Sequence, residues 1–293
     1  MSAVSEILTP RYRRFLKMRL PKASLIVWLC ASWLLLMLFV AIFVPFIAPY
    51  GFADQSLLNR LKPPVFAGGN WSFLFGTDHL GRDVLSRLLY SIRTSVLIAL
   101  MGTLIGASIG TLMGFLAAHF RGRVDDAVMI LVDFQASVPY LIIALAVLAF
   151  LGNSFSLFIV IVGFFGWEVY ARLARGLVIS INSQGYAGAI RTLGVAPWRI
   201  YLLHVLPNIL SVLVVQITLN FPDIILLETS LSFLSLGVQP PETSLGLTLG
   251  EGRSYIATAC WIALPAGIVI FLTTLSISIL GDWLRDILNP QER

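Results

Sequence analysis

Charge is scarce in this sequence. Asp, Glu, Lys and Arg make up 12% of its 293 residues, against about 25% in a soluble domain. So few charges cannot coat a water-facing surface, and most of the exterior must therefore meet lipid. The 58% hydrophobic content and the mean hydropathy of +0.89 agree. Lysine is rarer still, confined to Lys17, Lys22 and Lys62. None of them completes a G-x-x-x-x-G-K-[ST] loop, which excludes ATP binding by that phosphate cradle. The two cysteines, Cys30 and Cys260, fall near opposite ends of predicted membrane crossings, which argues against a disulfide, and their spacing fits no metal site. His79, His119 and His204 lie in three separate segments and cannot share one metal. Neither G-x-S-x-G nor H-E-x-x-H occurs, so the chain offers no footing for hydrolase or zinc-protease chemistry. The net charge of +5 does not point to nucleic acid, because the basic residues flank apolar runs.

What the sequence does contain is apolar runs of membrane length. We read an all-α polytopic membrane protein with six transmembrane helices: about Leu25–Phe46, Val96–Ala118, Val128–Leu151, Ser154–Ala171, Ile209–Leu227 and Trp261–Leu280. Residues 1–24 form a basic tail, and 25–47 the first transmembrane helix. That run exceeds the 7–15-residue core of a cleaved signal, and no small-x-small site follows it. Residues 48–95 form an outer segment ending in FGTDHLGRDVLSRLLYSIRTS. Within it Val84, Leu85, Leu88, Leu89 and Ile92 recur at helical spacing, with Arg82, Arg87 and Arg93 off the apolar face. An interfacial amphipathic helix is the expectation. Gly102, Gly106, Gly110 and Gly114 mark one stripe of the second span, where a neighbouring helix can approach backbone to backbone. Residues 229–260 are rich in serine and glycine and carry Pro240-Pro241, so a re-entrant or surface loop is expected there.

Six spans alternate sides, so topology can be tested against charge. Fourteen Lys and Arg residues fall on one predicted side and six on the other. The richer side holds both termini and is the cytoplasmic one by the positive-inside rule.

On that side lies the polar stretch GYAGAIRTLGVAPWRIYLLHVLPN, Gly185 to Asn208. Ala187, Ala189, Ile190 and Leu193 recur at helical spacing. Gly194 can end that helix, and Pro197 is tolerated in the first turn of the next. A second helix then runs through Arg199 to Leu203. A helix, sharp turn and helix between two spans form a short docking element for a soluble partner.

Carboxylates inside spans mark ion-coupled carriers. Asp133, Glu168, Asp223 and Glu228 are the candidates. Glu168 is expected to pair with Arg172 four residues on, and Glu228 to be hydrated near a span end. Asp133 and Asp223 can each line a path or satisfy a neighbouring helix. An ion-coupled carrier and a purely structural membrane protein therefore stay open on these residues.

The docking stretch resembles the EAA loop of bacterial ABC-importer permeases, E-A-A-x3-G-x9-I-x-L-P. Ala189, Gly194, Leu206 and Pro207 match, while Gly188, Ile190 and His204 replace the Glu, second Ala and Ile. FGTDHLGRDVLSRLLYSIRTS, LETSLSFLSLGVQPP and GDWLRDILNP are similar to blocks of the dipeptide, oligopeptide and nickel permeases, C-type subunit. Leu245-Gly246 stands where that family often has Trp-Gly. The resemblance implies a type I ABC-importer permease fold, with residues 96–293 as a five-helix core. It implies a coupling loop over 182–208, with Tyr186, Ala187, Gly188, Ala189, Arg191, Gly194, Leu206 and Pro207 seated on an ATPase. Implied partners are a homologous B-type permease, two ATP-binding subunits that hold ATP and Mg, and a periplasmic or lipoprotein substrate-binding protein. The implied location is the bacterial inner membrane. Di- or oligopeptides are the expected substrates, with nickel, glutathione or opines as alternatives.

Overall fold

The computed structural model describes residues 24–183, 199 and 201–288, and these form a helical bundle. Its elements are α1 (Leu25–Ile47), α2 (Val84–Phe120), α3 (Gly122–Ser137), α4 (Tyr140–Leu151), α5 (Phe155–Gly163), α6 (Trp167–Ser183), α7 (Leu206–Phe233), α8 (Leu245–Gly252) and α9 (Leu264–Leu288). Five spans are long and apolar enough to cross a membrane, with α5 and α6 counted as one; α3 and α4 together make a sixth if that bent pair is a single crossing.

The bundle is organised around α2. At 37 residues it is about 55 Å long, well beyond the roughly 30 Å hydrocarbon core of a bilayer. Its N-cap is Asp83, whose side chain accepts from the Ser86 N–H. No glycine or proline interrupts the chain from Val84 to Met101. The separate interfacial helix expected over Val84–Ile92 is therefore the first turns of α2 itself. Its apolar face does not meet lipid headgroups: Val84 packs with Ala259 and Ile262, and Leu88 and Ile92 enter the main core.

The glycine stripe is where α2 meets α5 and α6, its most extensive partnership. A Cβ at Gly102 would lie 2.9 Å from Val162 Cγ1, and one at Gly106 would lie 3.0 Å from the carbonyl oxygens of Gly163 and Phe165. At Gly110 it would meet the Trp167 carbonyl and, at 2.7 Å, Tyr170 Cβ. At Gly114 it would meet the Ala171 carbonyl and, at 2.9 Å, Ala174 Cβ. The four glycines thus track one partner span along its length, close enough for dispersion contacts between the two backbones.

Two predicted spans are broken. The third, expected as one helix over Val128–Leu151, is α3 and α4 meeting at 91°. Pro139 is the cause: a residue before proline is pushed to extended backbone, and Val138 sits at φ −110°, ψ 130°. The fourth breaks at Phe164–Gly166, where Gly166 takes φ +75° against the Asn220 side chain, and then continues as α6 to Ser183. The fifth and sixth spans outlast their apolar runs, reaching Phe233 and Leu288. The main core, with Ile98, Phe158, Ile224 and Leu231 fully buried, joins α2, α5 and α7. Outside it, α1 packs on α9, where Trp33 Nε1 donates to Thr273 Oγ1 at 3.1 Å.

Gly110→Ala is expected to destabilise the chain by about 1–3 kcal/mol through overpacking, and Gly110→Leu to prevent folding. Gly176→Ala on α6, where a new Cβ meets nothing within 4 Å, should be neutral or slightly stabilising. Thermal unfolding in mild detergent, followed by tryptophan fluorescence, separates these outcomes.

Candidate functional site

Polar groups are too costly in this bundle to be idle, and they gather in three places. The first is the start of α2. Asp78 is 1% exposed, and its Oδ1 accepts from the backbone N–H groups of Leu80 (2.8 Å) and Arg82 (2.9 Å). Its Oδ2 accepts from Arg82 Nε and Arg87 Nη1, both at 2.6 Å. Glu251, from the last turn of α8, receives the same two guanidinium groups at 3.1 and 2.7 Å. Arg82 and Arg87 are 4% and 2% exposed, so the arginines expected at a lipid headgroup surface are instead buried ion-pair partners. The reason is stoichiometric: two carboxylates neutralise two guanidiniums, and buried charge is tolerated only when so paired. Asp78, His79 and Glu251 stand close enough together to suggest cation ligands. The two arginines already share Asp78 Oδ2 and Glu251 Oε2, and main-chain N–H groups take Asp78 Oδ1, so the cluster reads as an ion-pair clamp.

The clamp extends down α2 at four-residue steps. Arg87 Nη2 donates to Thr243 Oγ1 at 3.5 Å, and Ser91 Oγ lies 2.7 Å from Thr243 Oγ1 and 3.0 Å from Thr248 Oγ1. Ser95 comes next and reaches Glu228. Glu228 is fully buried, contrary to the hydrated end expected for it, because α7 continues past it to Phe233.

The second place is the seam between α3 and α6. Arg175 Nε and Nη2 donate to the two Asp125 oxygens at 2.5 and 2.6 Å, a bidentate pair. Arg172 Nη2 donates to Asp133 Oδ1 at 2.9 Å. The expected Glu168–Arg172 pair is therefore replaced: Glu168 accepts from Gln135 Nε2 at 3.1 Å. Gln135 Oε1 in turn accepts from Trp167 Nε1 at 2.7 Å. Asp133 stays 70% exposed. Asp223 is also exposed, on α7 beside Pro222. The two candidate path residues are thus on different helices and are not brought together by a shared contact.

The third place is the far end of α2. There His119 Nδ1 lies 3.1 Å from Tyr201 Oη. Tyr201 opens a π-helical turn, Tyr201–Val205, that runs directly into α7 at Leu206, with Pro207 in the first helical turn. Tyr186, Ala187, Gly188, Ala189, Arg191 and Gly194 lie outside the described residues. Leu206 and Pro207 are the two predicted coupling residues that fall inside them. Val205 is buried with Ala118 and Val178, so the exit of that loop is anchored on both α2 and α6.

These contacts join helices to each other, and among the described residues none forms a nucleophile–base–orienter set. The arrangement is that of a polytopic helical membrane component. The comparisons agree. Residues 106–293 match the family described as the binding-protein-dependent transport system inner membrane component. The di/tripeptide transport system permease protein DppC of Pseudomonas aeruginosa is 38% identical over 88% of this chain and 86% of its own. The dipeptide permease protein DppC of Bacillus subtilis is 36% identical over 96% and 85%. The glutathione transport system permease protein GsiD of Pectobacterium atrosepticum is 33% identical over 96% and 90%. Among solved structures, the MetNI methionine ABC transporter in inward-facing form shares the fold, with a TM-score of 0.51 at 19% identity, over 70% of this chain and 95% of its own. The chain belongs to the inner-membrane permease family of binding-protein-dependent ABC importers. It is a multi-pass membrane protein and not an enzyme.

The clamp yields a stability prediction. Burial pushes the Asp78 carboxyl up, but the Arg82 N–H and the Arg82 and Arg87 charges outweigh it and hold it below the ordinary carboxylate range. A depressed folded-state value stabilises above the unfolded pKa, and that stability is lost as pH falls through the folded one. The clamp should thus be intact at neutral pH and weaken only below about pH 4. Arg87→Ala should cost about 3 kcal/mol at pH 7. A double-mutant cycle with Asp78→Ala should show coupling above about 1 kcal/mol, read by thermal unfolding at pH 7.

Proposed function

We propose that this chain is one of two permease halves of an importer for di- or oligopeptides. Its partners are a related permease, two ATP-binding subunits and a substrate-binding protein on the outer side. The peptide assignment rests on relatives named for di/tripeptides, dipeptides and glutathione, itself a tripeptide. The N- and C-termini are cytoplasmic in this reading, supported by the charge bias of fourteen to six. ATP and Mg are held by the partner ATPases.

The coupling loop over 182–208 is the ATPase contact. Tyr186, Ala187, Ala189 and Leu206 supply apolar contact, Arg191 a charge, and Gly194 and Pro207 the turn and the helix start. Gly188 in place of the family glutamate removes a charge and costs about 1 kcal/mol of helix stability relative to alanine, so docking leans on shape and on Arg191. The observation that carries this reading is the exit of the loop. A π turn seated on α2 and α6 passes any displacement of the loop straight into α7. ATP-driven closure of the ATPases then shifts the bundle between two arrangements. Asp133 and Asp223 are exposed carboxylates on apolar segments. Asp133 pairs with Arg172 on α6 and so satisfies a neighbouring helix; a carboxylate facing hydrocarbon costs about 2.5–3.5 kcal/mol, so Asp223 faces the water-filled path or another subunit.

Capture of the tagged chain from solubilised membranes tests the assembly. The native chain should bring down a second permease and two ATPases. Arg191→Glu with Gly194→Pro should keep the permease and lose the ATPases, and dipeptide uptake should fall to background. Retention of the ATPases by that variant would overturn the coupling-loop assignment.

A further inference from the structure

Glu228 is a carboxylate with 0% exposure inside α7. Among the described residues no Arg or Lys forms an ion pair with it. Hydroxyl groups compensate: Ser244, Ser232, Ser95 and Thr229 surround it. Ser232 Oγ donates to Glu228 Oε1 at 2.8 Å, and Ser95 Oγ donates to Oε2 at 3.1 Å. Each hydroxyl oxygen also accepts a main-chain proton. Val238 N donates to Ser232 Oγ at 3.2 Å, and Leu245 N to Ser95 Oγ at 3.0 Å. Val238 and Leu245 bracket the loop that joins α7 to α8, and both are buried. Between them Gln239 to Glu242 form an exposed tip.

A hydroxyl has one proton and two acceptor sites. Both Glu228 oxygens accept, so each serine proton is turned toward the carboxyl group. The oxygen lone pairs are left facing the two loop amides. We propose that Glu228 is a positioning residue that sets the 238–245 loop through two serine relays, one at each end. On the functional reading above, on which this part rests, that loop lies at the outer mouth and its tip meets the loaded binding protein. Glutamine is the discriminating replacement. It keeps the shape of glutamate but must turn its amide toward one serine, where it competes with the loop N–H for the hydroxyl's lone pairs and weakens that relay.

The test uses cysteine accessibility in native membranes. Cys260 is exposed and is first replaced by alanine; Cys30 is buried. Val238→Cys and Leu245→Cys are introduced separately, with Gln239→Cys as the exposed control, and reaction with N-ethylmaleimide is timed on the captured chain. With Glu228 present both buried positions should react slowly. Glu228→Gln should accelerate at least one of them about tenfold. Ser232→Ala should release Val238→Cys alone, and Ser95→Ala should release Leu245→Cys alone. These serine variants carry the test if Glu228→Gln fails to insert. Slow reaction at both sites in Glu228→Gln, or release of both ends by either serine variant, overturns the relay. In transport assays Glu228→Gln should raise the KM for loaded binding protein severalfold with a smaller change in maximal rate. Faster labelling with an unchanged KM overturns the role of the loop in capture. Labelling does not depend on transport, so an absence of ATP-driven uptake in every form would count against the functional reading and leave the relay to be decided separately.

Discussion

Everything in this bundle depends on how closely other backbones approach α2. Along its lower half four glycines remove the side chains that would hold α5 and α6 away, and the two spans meet carbonyl to Cα. Lipid is as apolar as leucine, so no hydrophobic drive brings membrane helices together, and close packing must supply the association. Along its upper half the same helix carries Arg87, Ser91 and Ser95 at four-residue steps. There the contacts are polar and run to α8, to the loop before it and to Glu228. One helix thus fixes a dry seam on one half and a hydrogen-bonded seam on the other.

The two seams divide the work. The dry seam ends near Ala117, Ala118 and His119, where the π turn Tyr201–Val205 is anchored. The polar seam ends at the Asp78–Arg82–Arg87–Glu251 clamp. A push on the π turn therefore acts on an element continuous with α7. Glu228, about two turns beyond Asn220 on that same helix, accepts from Ser232 and Ser95, whose hydroxyls in turn bond the main chain at Val238 and Leu245 around the loop before α8. In the proposed function this continuity links the ATPase end to the substrate end, because cores packed this tightly shift between discrete arrangements rather than deform.

The sequence revealed the first seam and concealed the second. A glycine every fourth residue has few physical meanings in an apolar helix, and close packing is one of them. An arginine followed by two serines at the same spacing has several. With Leu88 and Ile92 on another face, it reads as the wet side of an interfacial helix. Only Glu251, far along the chain in a glycine-rich segment, turns that face inward, and nothing local in GLTLGEGRSY announces it. The break before Pro139 was legible from proline alone, but the apolar run on both sides masked it. The exchange of partners at Arg172 was not legible, since an i,i+4 glutamate is the nearest candidate along the chain and Asp133 is nearest only in space. The family blocks carried the functional reading, because substrate and partner choice leave little trace in the composition of a membrane half.

The most direct test of this account is a distance between α2 and α6 across the transport cycle. Spin labels at exposed Leu112 on α2 and exposed Ile179 on α6 would be measured in the assembled complex, nucleotide-free and ATP-bound. If the glycine seam is the rigid unit around which the half moves, the separation stays within about 2 Å, the scale of small shifts between packed helices. A change of about one helical turn, roughly 5 Å, would show that the seam itself slides and would contradict the account.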